Sequence, residues 1–468
     1  MHSYRKAVVL GCGASGAAAA RLLRADGAGV VVLDDGTAAG AAAQAEALRR
    51  EGLEVITGRH EWPRGDFDVC VTSPGIPPSS PWIRAARESG LPVLSELELG
   101  WSRRRCPVVA VTGSNGKSTL VKWLAESLQA AGLRAVPAGN YGPPVSRVVL
   151  EQPAVDWLVL EVSTFQLETV CEFRPEVGVL LNIHPNHLDR HGDMETYEAL
   201  KARLFARTRT GDTCIVHEPL INQVRSASGG GGLWVTFGVS ASSDYRYADG
   251  VVTSGGREVL DLRGTLFAND VLGLAGAAAA AALSTCGVDP RIASRSAGTF
   301  KPLPHRMQPV GEIRGVRFVN DSKATNLAAM AAALRMIPSK IRLIAGGLVK
   351  EKDFTFVKDL LAQKVRGVYL IGQASKKMAS AWSDIVPCVF CETLDVAVRR
   401  AGDDAQAGEV VLLSPACASF DQFKNFEARG DEFARLVRDR VEGVLKPGKD
   451  IEPAAGAAGD TLKGASAR

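Results

Sequence analysis

The chain has 468 residues, room for about three domains of ~150 residues, which excludes a peptide module or a disulfide-stapled miniprotein. Hydrophobic residues make up 46% and charged residues 23%, the balance of a folded protein and not of a disordered or fibrous one. With Lys+Arg 55 against Asp+Glu 51 the formal charge is only +4, so no whole-molecule field draws it to nucleic acid or a membrane surface.

From the N-terminus, short runs rich in Val, Ile and Leu at residues 7–10, 30–33, 108–111, 157–160, 177–181, 341–345, 368–371 and 410–413 alternate with longer Ala/Leu/Arg segments at helical spacing. This is the pattern of repeated βα units on a parallel sheet, so the fold class is α/β. Residues 97–107 and Lys301-Pro302-Leu303-Pro304 read as linkers, because Pro and charge interrupt the periodicity, and Arg103-Arg104-Arg105 is expected to be solvated there. Beyond about Lys446 no apolar periodicity remains, and a disordered tail is expected.

Nine cysteines are scattered without a paired framework and read as free thiols of a reducing compartment. Cys388 and Cys391 form a CxxC, but zinc would need a second such pair and redox chemistry a thioredoxin-like context, so they read as unrelated thiols. Arg5-Lys6 before Ala7-Val8-Val9-Leu10 imitates a signal peptide until Gly11, Gly13, Gly16, Arg21 and Arg24 break the apolar region. Residues 271–283 are mostly Ala and too short to span a bilayer. A cytoplasmic monomer without nucleic-acid or membrane partners is expected.

Three motifs carry chemistry. Gly11-Cys12-Gly13-Ala14-Ser15-Gly16 follows a strand and opens an Ala-rich helix, and Asp34 ends the next strand; such a turn lets a diphosphate approach backbone N–H groups at a helix N-terminus. Thr72-Ser73-Pro74-Gly75-Ile76 also follows a strand and could line the same crevice. Thr112-Gly113-Ser114-Asn115-Gly116-Lys117-Ser118-Thr119 lies between a strand and a helix expected to begin near Leu120. It lacks the first Gly of the strict P-loop, since Val111 stands there, but keeps the phosphate-cradling glycines, Lys117 for the β/γ-phosphates and Ser118 for Mg²⁺. Glu161, at the end of the strand 157–160, stands where a P-loop protein needs a carboxylate facing the phosphates through Mg²⁺. In the run His184-Pro185-Asn186-His187-Leu188-Asp189-Arg190-His191, Pro185 and the lack of a completing Cys or Glu disfavour zinc; one His meeting substrate or a second Mg²⁺ is the better reading.

The chain resembles the Mur ligases. The residues that carry this are the P-loop at 112–119, Leu160-Glu161-Val162-Ser163-Thr164-Phe165-Gln166-Leu167-Glu168, His187-Leu188-Asp189-Arg190, Leu303-Pro304-His305-Arg306, Asn320-Asp321-Ser322-Lys323-Ala324-Thr325-Asn326 and the run from Leu413-Ser414-Pro415-Ala416-Cys417-Ala418-Ser419-Phe420 to Asp421-Gln422-Phe423-Lys424-Asn425-Phe426. The likeness extends to about Leu445, and the run at 414–426 is similar to that of the D-glutamate-adding members. It implies a Rossmann-like UDP-sugar domain at 1–98, a central ATP-binding domain with a P-loop-type parallel sheet at 99–301, a Rossmann-like amino-acid domain at 302–446 and a tail at 447–468. It also implies transfer of the ATP γ-phosphate to the carboxylate of UDP-MurNAc-L-Ala, then attack by the D-Glu amine on the acyl phosphate.

By the same resemblance, Gly113, Ser114, Asn115, Gly116, Lys117, Ser118 and Thr119 would hold ATP together with Asn269, Arg306 and Asp321. Ser118 and Glu161 would hold one Mg²⁺, and His187 and a carbamylated Lys201 would serve a second. Ser15, Asp34, Thr37, Ser73 and Asn140 would lie along the UDP-sugar, and Lys323, Thr325, Lys350, Ser419, Phe420 and Phe426 would form the D-Glu pocket. Lys117, Glu161, His187 and Lys201 are the implied catalytic set. Departures from the family pattern are Ala268 and Leu272 near the adenine contacts, Asn186 before His187, and Leu348-Val349 before Lys350. Two rivals are a sibling or folylpolyglutamate-type ligase using another amino acid or acceptor, and a nucleotide-binding regulator without catalysis.

Overall fold

The protein is represented by a computed structural model that describes residues 4–36, 40–58, 61–152, 154–349 and 353–443. Thr37, Lys350 and the expected tail at 447–468 lie outside the described residues. The chain divides into two compact units, Met1–Pro302 and Leu303–Arg468.

The first unit holds two sheets. Strands β1 (Lys6–Leu10), β2 (Gly29–Asp34), β3 (Glu54–Thr57), β4 (Val69–Thr72) and β5 (Val93–Ser95) form a parallel sheet in the order β3-β2-β1-β4-β5. The second sheet contains β6 (Val108–Thr112), β7 (Ala135–Gly139), β8 (Trp157–Glu161), β9 (Val177–Leu180), β10 (Thr213–His217), β11 (Leu233–Gly238), β12 (Tyr245–Ala248), β13 (Val251–Ser254) and β14 (Arg257–Asp261). Its order is β14-β13-β12-β11-β10-β9-β6-β8-β7, parallel from β7 to β12 and antiparallel over the last three. Covered on both faces, parallel strands bury consecutive side chains: Ala7 to Leu10 and Val108 to Val111 are all 0% exposed.

The second unit has β15 (Gln308–Ile313), β16 (Val316–Asn320), β17 (Ile341–Gly346), β18 (Val365–Ile371), β19 (Cys388–Glu392) and β20 (Val410–Leu413) in the order β15-β16-β20-β17-β18-β19. Only β15 is antiparallel to its neighbour. Leu343, Leu370 and Leu412 stack in its core beneath the helix Leu327–Met336.

The strands expected from the apolar runs form within about three residues of their expected limits. Two expectations are corrected. The helix after β6 begins at Lys117 and not near Leu120, because Gly116 caps it in the left-handed conformation, φ +86°. Residues 97–107 are not an open linker: the helix Glu96–Ser102 fills half of them. Its acidic residues face inward, where Glu96 accepts the Ser146 N–H at 2.6 Å and Glu98 accepts those of Cys171, Glu172 and Phe173 at 2.8–3.2 Å. Burial pushes the Glu96 carboxyl up to about 7. Arg103 and Arg104 are likewise not solvated, since Arg103 pairs with Asp26 at 3.0 Å and Arg104 with Glu176 at 2.7 Å while lying over Trp101. Arg105 is exposed. All nine cysteines are free thiols, and among the described residues no helix is long and apolar enough to cross a membrane.

Candidate active site

In the first unit the P-loop leaves the C-terminal end of β6 beside β8 and β9, where loops of an open parallel sheet form a crevice. Gly113, at φ +150°, lies so close to Leu181 that a Cβ would come within 3.1 Å of it. The loop is tied to the end of β9 by Asn182, whose side chain accepts the Asn115 N–H at 2.9 Å and donates to the Asn115 carbonyl at 3.1 Å. The Ser114 N–H is given to the Asn182 carbonyl, and the Ser114 hydroxyl bonds the His184 backbone and the Tyr197 hydroxyl. The Ser114 and Asn115 N–H groups, both expected to meet phosphate, are therefore engaged within the protein, and the helix begins at Lys117. Lys117 folds back, its ammonium 2.8 Å from the Gly113 carbonyl and 3.1 Å from that of Ser114.

Glu161, at the end of β8, is buried and receives the Ser118 hydroxyl at 2.5 Å and the Asn140 amide at 2.6 Å. Asn140 thus stands beside the P-loop serine. The Ser118 hydroxyl and the Glu161 carboxylate are hard oxygen donors of the kind that suits Mg²⁺, and the Asn140 amide N–H steadies the carboxylate. Lys201, in the helix Met194–Ala202, is 2% exposed, with its ammonium 4.5 Å over the Tyr197 ring. Burial, then the neighbouring Lys117 charge, hold its pKa well below the ordinary lysine value. His187, left-handed at φ +56°, packs edge-on against Phe165. His191 is buried against Thr164 at 3.0 Å and faces Glu168 at 3.5 Å, while His184 is exposed.

In the glycine loop after β1, a Cβ on Gly16 would lie 1.8 Å from the Gly11 carbonyl oxygen, so only glycine fits. Asp34 is turned into this loop, its two oxygens accepting the Cys12 N–H at 2.7 Å and the Gly36 N–H at 2.8 Å. Ser15 is half-buried at the helix start, and Ser73 carries a buried hydroxyl without a partner, aimed at Gly11. Asn269 caps the helix Asp270–Thr285, accepting the N–H groups of Val271 and Leu272. Sequence reasoning missed Asn182 and gave Arg190 no role. Arg190 pairs with Glu168, lies over Phe165 and donates to the carbonyls of Pro74 and Ile76, joining the loop after β4 to the second sheet. The signal for Asn182 was its place just past a strand adjoining the P-loop strand.

In the second unit, Arg306 lies between two left-handed residues, His305 at φ +61° and Met307 at φ +46°. Asp321 is buried and accepts the Ser414 hydroxyl at 2.9 Å and the Met307 N–H at 3.1 Å; burial nevertheless pushes it up to about 7. Lys323 gives its N–H to the His305 carbonyl and sets its ammonium 3.8 Å over the Phe426 ring. Thr325 is half-buried, Ser419 buried and Phe420 65% exposed.

Comparison with known proteins gives three family matches along the chain: the MurD-like N-terminal domain of Mur ligases at 5–95, the Mur ligase middle domain at 111–279 and the Mur ligase glutamate ligase domain at 305–417. Among curated relatives, the UDP-N-acetylmuramoylalanine–D-glutamate ligase of Koribacter versatilis is 38% identical over 94% of this chain and 99% of its own length. The protein of that name from Nitratidesulfovibrio vulgaris is 39% identical over 92% of this chain and 95% of its own. Among solved structures, the MurF ligase of Thermotoga maritima in complex with ADP aligns with a TM-score of 0.61 at 18% identity, covering 89% of this chain and 96% of that one. UDP-N-acetylmuramate-alanine ligase MurC of the same organism gives 0.59 at 16% identity, covering 93% and 99%.

Proposed function

The chain belongs to the Mur ligase family, and from that premise we propose that it joins D-glutamate to UDP-N-acetylmuramoyl-L-alanine at the expense of ATP, a step of peptidoglycan precursor synthesis. The observation that supports the ATP-dependent chemistry is the Ser118 hydroxyl on the Glu161 carboxylate, which also receives the Asn140 amide N–H.

The substrate carboxylate oxygen attacks the γ-phosphorus, the bond to the ADP oxygen breaks, and an acyl phosphate forms. The amine nitrogen of D-Glu then attacks the acyl carbon, loses a proton and expels inorganic phosphate. No protein nucleophile is needed; the chain must position groups and balance charge. Lys117, freed from its loop carbonyls, would follow the phosphoryl group between ADP and the acyl oxygen. The bound Mg²⁺ would neutralise phosphate charge, and Ser118 and Glu161 would hold it. Lys201 as its carbamate, with His187, would serve a second ion: an ammonium at this position would repel a cation, whereas the CO₂ adduct of the neutral amine supplies oxygen anions. Asn269, Arg306 and Asp321 are assigned to ATP; Ser15, Asp34, Thr37, Ser73 and Asn140 to the UDP-sugar; Lys323, Thr325, Lys350, Ser419, Phe420 and Phe426 to D-Glu. The segments 1–98, 99–301 and 302–446 are proposed as the corresponding domains.

The test is phosphate release from ATP in the presence of UDP-MurNAc-L-Ala and D-Glu, with the product mass measured. Release should require both. Equal release with either omitted, or a product formed with another amino acid or a folate acceptor in place of these substrates, refutes the assignment.

A further inference from the structure

Arg429, in the helix Phe426–Val441, is 1% exposed, and among the described residues no carboxylate forms an ion pair with it. Its guanidinium instead grips two loops. Nε donates to the Ser322 hydroxyl at 3.0 Å, and Nη2 donates to the carbonyls of Ser322 at 2.8 Å and Cys417 at 3.1 Å. The Ser322 hydroxyl passes its own proton to the Phe426 carbonyl at 2.8 Å, closing the ring back onto the helix that bears Arg429.

The remaining nitrogen, Nη1, is buried without a hydrogen-bond partner. It lies against a third loop, because a Cβ on Gly347 would come within 3.2 Å of it. That loop is joined to the second by the Leu348 N–H on the Ala418 carbonyl at 2.8 Å. The three loops follow β16, β20 and β17, neighbouring parallel strands, so one side chain stands under the whole C-terminal edge of this part of the sheet. Such an edge is where open α/β sheets bind ligands.

We propose that Arg429 is the positioning residue of the amino-acid pocket, fixing Lys323 and Ser419 relative to each other through Ser322 and Cys417. Ser322 adjoins Lys323, and Cys417 lies two residues before Ser419. The planar fork can donate in two directions at once from fixed geometry, which a lysine ammonium cannot reproduce. Its donors go to the backbone and hydroxyl groups of the two loops, so it acts through them. The inference rests on reading this unit as the amino-acid site.

The experiment uses the full chain with Arg429→Met, Arg429→Lys and the milder Ser322→Ala. For Arg429→Met the KM for D-Glu should rise at least tenfold, with the KM values for ATP and UDP-MurNAc-L-Ala within twofold of native, and Arg429→Lys should recover less than half of the loss. Ser322→Ala should move the same constant in the same direction. Hydrogen exchange supplies a readout that does not depend on the identity of the amino acid: protection should fall at 320–326 and 414–426 and stay unchanged at 112–119. A residue that merely stabilises the helix would lower Tm without the split in KM. A D-Glu KM within twofold of native in the soluble variants, or unchanged exchange at both loops, overturns the proposal. If native enzyme shows no D-Glu-dependent phosphate release, the functional assignment falls, and the exchange result still decides the role of Arg429.

Discussion

The sharpest test of the phosphate site is the chemical state of Lys201. An ordinary lysine with a pKa of ~10.4 is neutral in about one molecule per thousand at pH 7.4, and each unit of depression raises that fraction about tenfold. Lys201 is almost fully buried and feels the Lys117 ammonium, both of which drive it toward the neutral amine that attacks CO₂. Carbamylation of the neutral amine forms an N–C bond, releases one proton and leaves an anion where the amine stood. Lys201→Arg keeps a permanent cation and should lose on the order of 10²–10³-fold in kcat, because charge at the transferring phosphoryl group is then misplaced. Lys201→Glu keeps oxygen anions on a shorter stem and should retain at least about tenfold more activity than the arginine variant, since anionic oxygens can still orient a hard cation. Phosphate-release kinetics rank the variants, and ¹³CO₂-enriched NMR should show a carbamate signal in native enzyme alone. An arginine variant as active as the glutamate variant, or an active native preparation without the carbamate signal, refutes the reasoning.

Lys117→Ala should lower ligation by about 10²-fold or more while leaving UDP-MurNAc-L-Ala affinity within twofold, because it removes charge stabilisation at the phosphoryl group only; near-native turnover would refute the P-loop assignment. Asp321 has a folded pKa of about 7 against the ordinary 3.8, so the folded state retains a proton that the unfolded chain has released. Its stabilising effect is present below 3.8 and is lost as pH rises through about 7, on the order of 4 kcal/mol at the limit. Asp321→Asn should flatten that part of the stability-against-pH curve, and parallel native and variant curves would count against a buried protonated carboxyl. Gly16→Ala places a Cβ 1.8 Å from the Gly11 carbonyl oxygen and should destabilise the first unit by about 1–3 kcal/mol, read as a lower denaturation midpoint; an unchanged midpoint would contradict the tight turn.

Much of the α/β skeleton was legible because parallel strands buried on both faces are written as uninterrupted Val/Ile/Leu runs; the strand 410–413 coincides with β20. The antiparallel strands β12 to β14 were not, since Tyr245–Ala248 and Arg257–Asp261 mix polar and apolar residues without a long apolar run. Arg103 and Arg104 looked like solvated charge because their partners, Asp26 and Glu176, lie 77 and 72 residues away, and the inward bonds of Glu96 and Glu98 span 50 and 73. The same blindness hid Arg429, whose partner Ser322 is 107 positions distant. Motif residues such as Lys117, Ser118 and Glu161 were readable from local spacing; the residues that hold them, Asn182 above all, depend on which strands become neighbours.

The pairing of Asn182 with Asn115 has a thermodynamic meaning. A glycine-rich loop that condensed only around phosphate would draw its ordering entropy from the nucleotide's binding energy. Here a side-chain amide just past a neighbouring strand donates to and accepts from the loop backbone, imitating one rung of a β-ladder, so under the proposed function the loop is already assembled when the nucleotide arrives. Binding energy spared from folding the loop can then be directed to contacts that strengthen as the phosphoryl group moves, which is where it raises turnover and does not merely tighten the ground state.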